Sequence, residues 1–172
     1  MKFKITGENG KSIEVDLTEE QMKALGLEPE PKRTGYELGD DKVFFRSLND
    51  GSAQRCSDPY AKTICLDNAT AYSDYKLAAA NARADLLMRK LRRYAAQHGG
   101  MPSVKDWPEH GVGAKAKYYI YFTAGKIRME QCFVTHIPGC IYFLDPQACE
   151  DAIEEFKDEL MWYFTEYEAM LH

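Results

Sequence analysis

The sequence predicts an α+β fold in which a duplicated β-β-β-α unit forms a sheet covered by two long helices. A small N-terminal β-hairpin plus short helix precedes it. Three short β-type runs come before a long amphipathic helix in each half of the chain. Both helices repeat apolar residues at spacings of 3, 4, 3, 4 and 3, so each buries one face. Neither copy could close a core alone, whereas two together could. The stripes are Leu77, Ala80, Ala84, Leu87, Leu91 and Tyr94, and then Ile153, Phe156, Leu160, Tyr163, Tyr167 and Met170.

The composition is typical of a folded globular protein of one domain, or of a domain with a small appendage. The chain has 172 residues, of which 45% are apolar and 28% charged. A net charge of −5 argues against nucleic acid as the main partner. No window approaches the roughly 20 apolar residues of a membrane span. Residues 1–15 contain no apolar run, so we expect no signal peptide, a cytoplasmic location and five reduced cysteines.

Residues 1–27 are predicted to form the β-hairpin and the short helix. The runs Phe-Lys-Ile and Ile-Glu-Val flank an Asn-Gly pair, the dipeptide of a tight hairpin turn. Thr18 and Gln21 have the spacing of a capping box, and Gly26 is a stop signal for the helix. Residues 28–35 contain two prolines and mixed charges, so we interpret them as a linker.

The first β-β-β-α copy is predicted at residues 36–98. Two strand runs flank an Asn-Asp-Gly turn, and the run Thr-Ile-Cys-Leu at residues 63–66 is the third strand. Ser73 is the expected N-cap of the long helix. Residues 99–115 are rich in glycine and proline and are predicted to be a connecting loop, which Trp107 pins to the body of the protein.

The second copy is predicted at residues 116–172. Its first two strand runs flank a turn at Ala124 and Gly125, and the third run is Cys-Ile-Tyr-Phe-Leu. Asp145 is the expected N-cap of the last helix, and Pro146 occupies the first helical position, which proline favours.

Three segments within roughly residues 36–168 are distinctive: "RADLLMRKLRRYAAQH", "KYYIYF" and above all "IYFLDPQACEDAIEEFKDELMWYFTEY". They resemble segments of a family of small uncharacterised accessory proteins from phages and prophages of Gram-positive bacteria. The family carries no known activity, so the resemblance brings no catalytic residue. It implies a protein made in a bacterial host that binds a host component, such as a defence factor inhibited in the manner of an anti-CRISPR protein.

The residue pattern predicts no metal site, no cofactor and no catalytic residue. Thiolate and imidazole are zinc ligands, but the set Cys132, His136, Cys140 and Cys149 lacks a Cys-x-x-Cys knuckle, and its first members alternate as in a strand. No motif of a thiol nucleophile surrounds any cysteine. We therefore expect a binding protein rather than an enzyme, with a metal- or cysteine-dependent enzyme as the least favoured alternative.

Five basic residues are candidates for binding an anion or nucleotide: Arg83, Arg89, Lys90 and Arg93 on the first long helix, and Lys115 in the connecting loop. Arginine suits bidentate contacts to phosphate. The alternative interpretations are a solvated helix face and an internal match to the acidic last helix. In the alternative function, arginine and tyrosine side chains between the copies bind a nucleotide or signal molecule and act as a sponge.

Four residues of the last helix are the predicted partner-binding surface. Trp162 lies about 120° from the apolar stripe on an ideal helix, and Glu155, Glu159 and Glu166 share its sector. An exposed tryptophan with an acidic rim can dock onto a basic protein surface. The alternative is that the N-terminal hairpin, or the second subunit of a homodimer, covers this surface.

Overall fold

The computed structural model describes residues 2–6, 12–16, 18, 21, 35, 36, 38, 43–107 and 113–171. The chain divides into two compact units, Met1–Thr34 and Gly35–His172. The fold is mixed α+β, with small antiparallel sheets and several helices. Within the described ranges, no helix has the length and apolar character needed to cross a membrane.

The N-terminal unit contains the predicted hairpin. Strand β1 (Lys2–Thr6) pairs antiparallel with β2 (Ser12–Asp16). Thr18 N donates to Gln21 Oε1 at 2.9 Å, and Gln21 N donates to Thr18 Oγ1 at 3.3 Å. These reciprocal bonds confirm the capping box. The rest of the predicted short helix and most of the linker lie outside the described residues.

The first sheet of the larger unit has the order β4-β3-β5. Strand β3 (Phe44–Ser47) pairs antiparallel with β4 (Ala53–Cys56) and with β5 (Ala71–Tyr72). The predicted third strand at residues 63–66 is wrong, because these residues lie in helix α1 (Pro59–Asp67). Asp58 accepts a hydrogen bond from Tyr60 N at 3.0 Å and Pro59 fixes the first helical position. These two start signals override a short apolar run.

Helix α2 (Tyr75–Gln97) is the first predicted long helix. Its N-cap is Asp74, whose carboxylate accepts from Leu77 N at 2.8 Å, and not Ser73 as predicted. Five of the six stripe residues are buried and Tyr94 is half-buried. Ala78 and Ala82 are also buried, so the helix has neighbours on more than one side.

The second sheet has the equivalent order β7-β6-β8. Strand β6 (Lys117–Thr123) pairs antiparallel with β7 (Lys126–Cys132) and with β8 (Tyr142–Phe143). Ala124 and Gly125 both have positive φ, which confirms the predicted turn. We predicted a single sheet here. The described part of the larger unit instead contains two three-stranded sheets. After β5 and after β8 the chain enters a helix that an aspartate caps.

In the described part of the connecting loop, Trp107 packs against the body of the protein, as predicted. Its ring centroid lies 5.0 Å from that of Tyr142 and 5.1 Å from that of His136. Lys117 is fully buried beneath it, with Nζ 4.3 Å from the indole centroid. The same Nζ donates to Phe133 O at 2.7 Å, which partners the buried ammonium.

The predicted last helix is interrupted twice. Helix α3 (Pro146–Glu155) starts at Asp145 and Pro146, as predicted, and ends at Phe156, whose φ of −105° and ψ of 20° break the helix. Helix α4 (Lys157–Trp162) follows, then a π-helix (Tyr163–Tyr167) and α5 (Glu168–Met170). The largest core cluster joins α2, β8, α3 and α4, through Leu87, Leu91, Ala95, Phe143, Ala148, Cys149, Ala152, Phe156 and Leu160.

Candidate functional site

Trp162 is a core residue rather than an exposed anchor. Only 8% of its surface is exposed, and it packs with Ala80 and Ala84 of α2. The Arg83 guanidinium lies over the indole, with Cζ 3.9 Å from the ring centroid. The prediction assumed one buried stripe on the last helix. The helix instead buries a second side, because the two alanines leave room for a large ring against α2.

The three predicted acidic partners of Trp162 form no rim around an exposed ring. Glu155 and Glu166 are exposed. Glu159 is half-buried and forms an ion pair with Lys90, in which Lys90 Nζ lies 3.5 Å from Glu159 Oε1. A docking surface centred on Trp162 therefore lacks the exposed aromatic group that would anchor it.

Three of the predicted anion-binding residues are engaged inside the protein. Arg83 lies over Trp162, Lys90 pairs with Glu159, and Arg89 donates to Asn49 O at 2.6 Å, which holds the β3–β4 turn. Arg93 and Lys115 are exposed and line neither of the cavities described below. The ion pair between Lys90 and Glu159 is one contact of the kind expected if the basic helix matches the acidic last helix.

Three of the cysteines, all in the second half of the chain, have the opposite of the environment that activates a thiol. Burial raises the pKa of the Cys132 and Cys140 thiols, and raises the pKa of Cys149 to about 12. Nucleophilic and metal-binding cysteines require a lowered pKa. Among the described residues, no three His, Cys, Asp or Glu side chains are grouped so that they could hold a metal ion. The absence of catalytic activity stays a prediction.

An acidic groove lies between strand β7 and helix α3. It has a volume of about 560 Å³ and is open to solvent on one side. Helix α3 contributes one face of residues at positions i, i+3, i+4 and i+7, which are Gln147, Glu150, Asp151 and Glu154. The opposite face of α3 is buried in the core through Ala148, Cys149 and Ala152. Burial of that small-residue face turns the three carboxylates toward the groove.

The floor and the far wall of the groove come from the second sheet. Tyr121, Ile127 and Met129 are half-buried there, and Arg128 supplies the one cationic group of the lining. Three carboxylates against one guanidinium make the groove anionic. Its lining residues are Tyr121, Ile127, Arg128, Met129, Gln147, Glu150, Asp151, Ile153 and Glu154.

Two of the carboxylates are partly satisfied inside the protein. Gln147 Nε2 donates to Asp151 Oδ1 at 2.9 Å, and Lys157 Nζ lies 3.2 Å from a carboxylate oxygen of Glu154. Glu150 is exposed and has no ion-pair partner in the described part of the chain. Glu150 therefore carries the least compensated charge of the groove.

Strand β7 is an edge strand on the side of this groove. In the described sheet it pairs with β6 and with no further strand. The two-residue turn makes Thr123 and Lys126 a hydrogen-bonded pair, and the ladder alternates from there. The N–H and C=O groups of Ile127, Met129 and Gln131 consequently point away from β6, toward the free edge.

The groove was missed at the sequence level, although part of it was visible. In "QACEDAIEE" the polar residues share one helix face and the small residues share the other. That pattern could have identified an acidic α3 face. The packing of α3 beside β7, which brings the edge strand next to this face, depends on tertiary contacts.

The chain matches no protein-family model, and no curated protein or solved structure matches it significantly. The resemblance to phage accessory proteins therefore stays a prediction.

Proposed function

We propose that this protein is a non-enzymatic binding protein whose acidic groove takes an extended, basic segment of a protein partner. The observation that carries the proposal is the juxtaposition of two features: the free edge of β7 and the three carboxylates of α3 that line the groove beside it. The free edge is suited to a strand, and the carboxylates are suited to cationic side chains.

An extended segment would bind by adding a strand to the second sheet. Main-chain hydrogen bonds to Ile127, Met129 and Gln131 would supply affinity, and side chains at alternate positions would supply specificity. Alternate residues of a strand point to the same face. Lysine or arginine at these positions would therefore face Glu150, Asp151 and Glu154 in succession.

A titration with two matched peptides tests the charge requirement. We expect acetyl-(Lys-Val)4-amide to bind at low salt and acetyl-(Glu-Val)4-amide not to bind, with affinity for the former falling as salt rises. Glu150→Lys should weaken binding about tenfold or more, equivalent to about 1.4 kcal/mol. Asp158→Lys is the matched control, because Asp158 is an exposed acid outside the groove. Equal effects of the two variants would contradict the proposal.

A second experiment tests the strand addition itself. Gln131→Pro removes one outward-facing N–H of β7 without removing a ladder bond to β6, because proline lacks a backbone donor. Gln131→Ala removes the same exposed side chain and keeps the donor. We expect the proline variant to lose peptide affinity and the alanine variant to keep it. If both bind equally, the segment does not pair with this edge.

The wider setting rests on the resemblance to phage accessory proteins. It predicts a cytoplasmic protein of an infected bacterium that binds a host protein, such as a defence factor. A pull-down from host lysate with the unaltered chain and with Glu150→Lys tests this. A host protein retained by the former and lost by the latter would support the proposal. A host protein captured equally by both would place the binding surface elsewhere.

The duplicated β-β-β-α plan is also a proposal. Both sheets place their first strand in the middle and end in a third strand of two residues. In each half an aspartate caps the long helix two residues after that strand: Asp74 after Tyr72, and Asp145 after Phe143. The insertion of α1 in the first half is a departure from the plan. Unrelated positions of α2 and α3 over their sheets, on superposition of the two halves, would contradict it.

A further inference from the structure

A second cavity lies beside the π-helix and is separate from the acidic groove. It encloses about 280 Å³ and is bounded by α2, β6, the segment at residues 138–141 and the last helical turns. Most of its wall is apolar and adjoins the largest core cluster. The apolar wall residues include Met88, Leu91, Ile120, Ile141, Leu160 and Phe164.

Three polar side chains line the cavity as well: Tyr163, Cys140 and Glu168. Burial raises the pKa of the Tyr163 hydroxyl and of the Cys140 thiol, so both are neutral at pH 7. Glu168 is exposed at the rim and is the one charged residue of the lining. Within the described chain its carboxylate forms no salt bridge.

The π-helix at Tyr163–Tyr167 shapes this part of the cavity. A π turn places an extra residue in the helix, and such turns occur frequently at functional sites. Tyr163 and Phe164 stand at its start and Glu168 follows its end, and all three line the cavity. The irregular turn thus brings two rings and a carboxylate to the same opening.

We propose that this cavity binds a small organic cation, namely one aromatic ring or a short alkyl group that carries a primary amine. The apolar walls would hold the body of the ligand and the Glu168 carboxylate would accept from its ammonium group. An apolar cavity of about 150 Å³ is large enough for benzene. The volume here is nearly twice that, which suits one ring with a short side chain. No cationic residue lines the cavity, so an anionic ligand has no partner there.

The test compares three ligands of similar shape: 2-phenylethylamine, 2-phenylethanol and 3-phenylpropionate, each titrated into the full chain at pH 7 and followed by NMR. For a ligand of this size we expect a dissociation constant of about 1 mM for the amine. The amine should bind about fivefold more tightly than the alcohol, as a charged hydrogen bond to an exposed carboxylate allows. The propionate should bind most weakly.

Two variants assign the preference to one carboxylate. Glu168→Gln should bring the affinity for the amine down to that for the alcohol. Glu166→Gln is the matched control, because Glu166 is exposed on the adjacent helical turn and does not line the cavity. It should leave the preference unchanged. Both positions are exposed, so neither variant threatens folding.

Alkylation by iodoacetamide locates the ligand independently. Saturating 2-phenylethylamine should slow modification of Cys140, which lines the cavity, and leave Cys56 unaffected, since Cys56 is a half-buried cysteine of the first sheet. Equal affinity for the amine and the alcohol, an unchanged preference in Glu168→Gln, or absence of Cys140 protection would each overturn the proposal. So would the failure of all three ligands to bind.

Discussion

Replacing Trp162 with alanine separates the core position of this residue from the docking role that the sequence suggested. A large aromatic side chain buries up to about 250 Å². With 8% exposed, Trp162 buries about 230 Å², which corresponds to roughly 6 kcal/mol at 25 cal/mol per Å². This is an upper limit, because the unfolded chain already buries some of that area and alanine keeps its Cβ. We therefore expect a loss of about 3–5 kcal/mol, in the range known for core tryptophans.

Urea unfolding followed by circular dichroism gives the free energy of unfolding, with Glu166→Ala as an exposed control on the same helix. The control should change stability by less than about 0.5 kcal/mol. The Trp162→Ala melting temperature should fall by roughly 10 °C, at about 2–4 °C per kcal/mol for a protein of this size. A loss below about 1 kcal/mol would refute the packing of Trp162 against Ala80 and Ala84. Weakened partner binding with unchanged stability would restore the exposed-anchor interpretation.

Three further variants or measurements test local features. Asp74→Ala should lower the free energy of unfolding by about 1 kcal/mol, because the Asp74 carboxylate caps α2, whereas Ser73→Ala should change it little. Urea titrations in which Ser73→Ala is the more destabilised variant would contradict the cap assignment. Gly99→Ala should cost more than Gly125→Ala, in the range of about 1–3 kcal/mol. Both glycines have positive φ, but only at Gly99 would the new Cβ meet another atom, at 2.8 Å; equal losses in thermal melts would argue against this close approach. Burial raises the pKa of Cys149 to about 12, so iodoacetamide at pH 8 should not modify this thiol until urea unfolds the protein. Rapid modification of Cys149 in the native protein, detected by peptide mass mapping, would show that the thiol is accessible.

The parts of the fold that depend on local chemistry could be predicted from the sequence. Thr18 with Gln21, Ala124 with Gly125, and Asp145 with Pro146 each form the cap or turn that their residue types favour. The buried stripe of α2 also follows from its period. These features need only a few neighbouring residues, so their signals are complete within the sequence.

The features that depend on tertiary contacts could not be predicted. Helix α1 is an exception, because its start signals at Asp58 and Pro59 are local and the apolar run at residues 63–66 was nevertheless interpreted as a strand. The break at Phe156 and the π-helix have no composition signal, since no proline or glycine is present there. Trp162 was placed by an ideal helical wheel, which cannot show that α2 lies against a second side of the helix. For the same reason, the partner-binding surface that was predicted around Trp162 is buried against α2.

Amide hydrogen exchange with and without acetyl-(Lys-Val)4-amide tests the proposed strand addition most directly. In the free protein, the amides of Ile127, Met129 and Gln131 should exchange quickly, because they face the open edge of β7. Those of Arg128 and Glu130 should already be protected by the ladder to β6. Saturation with the peptide should protect the first three and leave the other two as they were. Unchanged exchange at Ile127, Met129 and Gln131 in the presence of bound peptide would contradict the account.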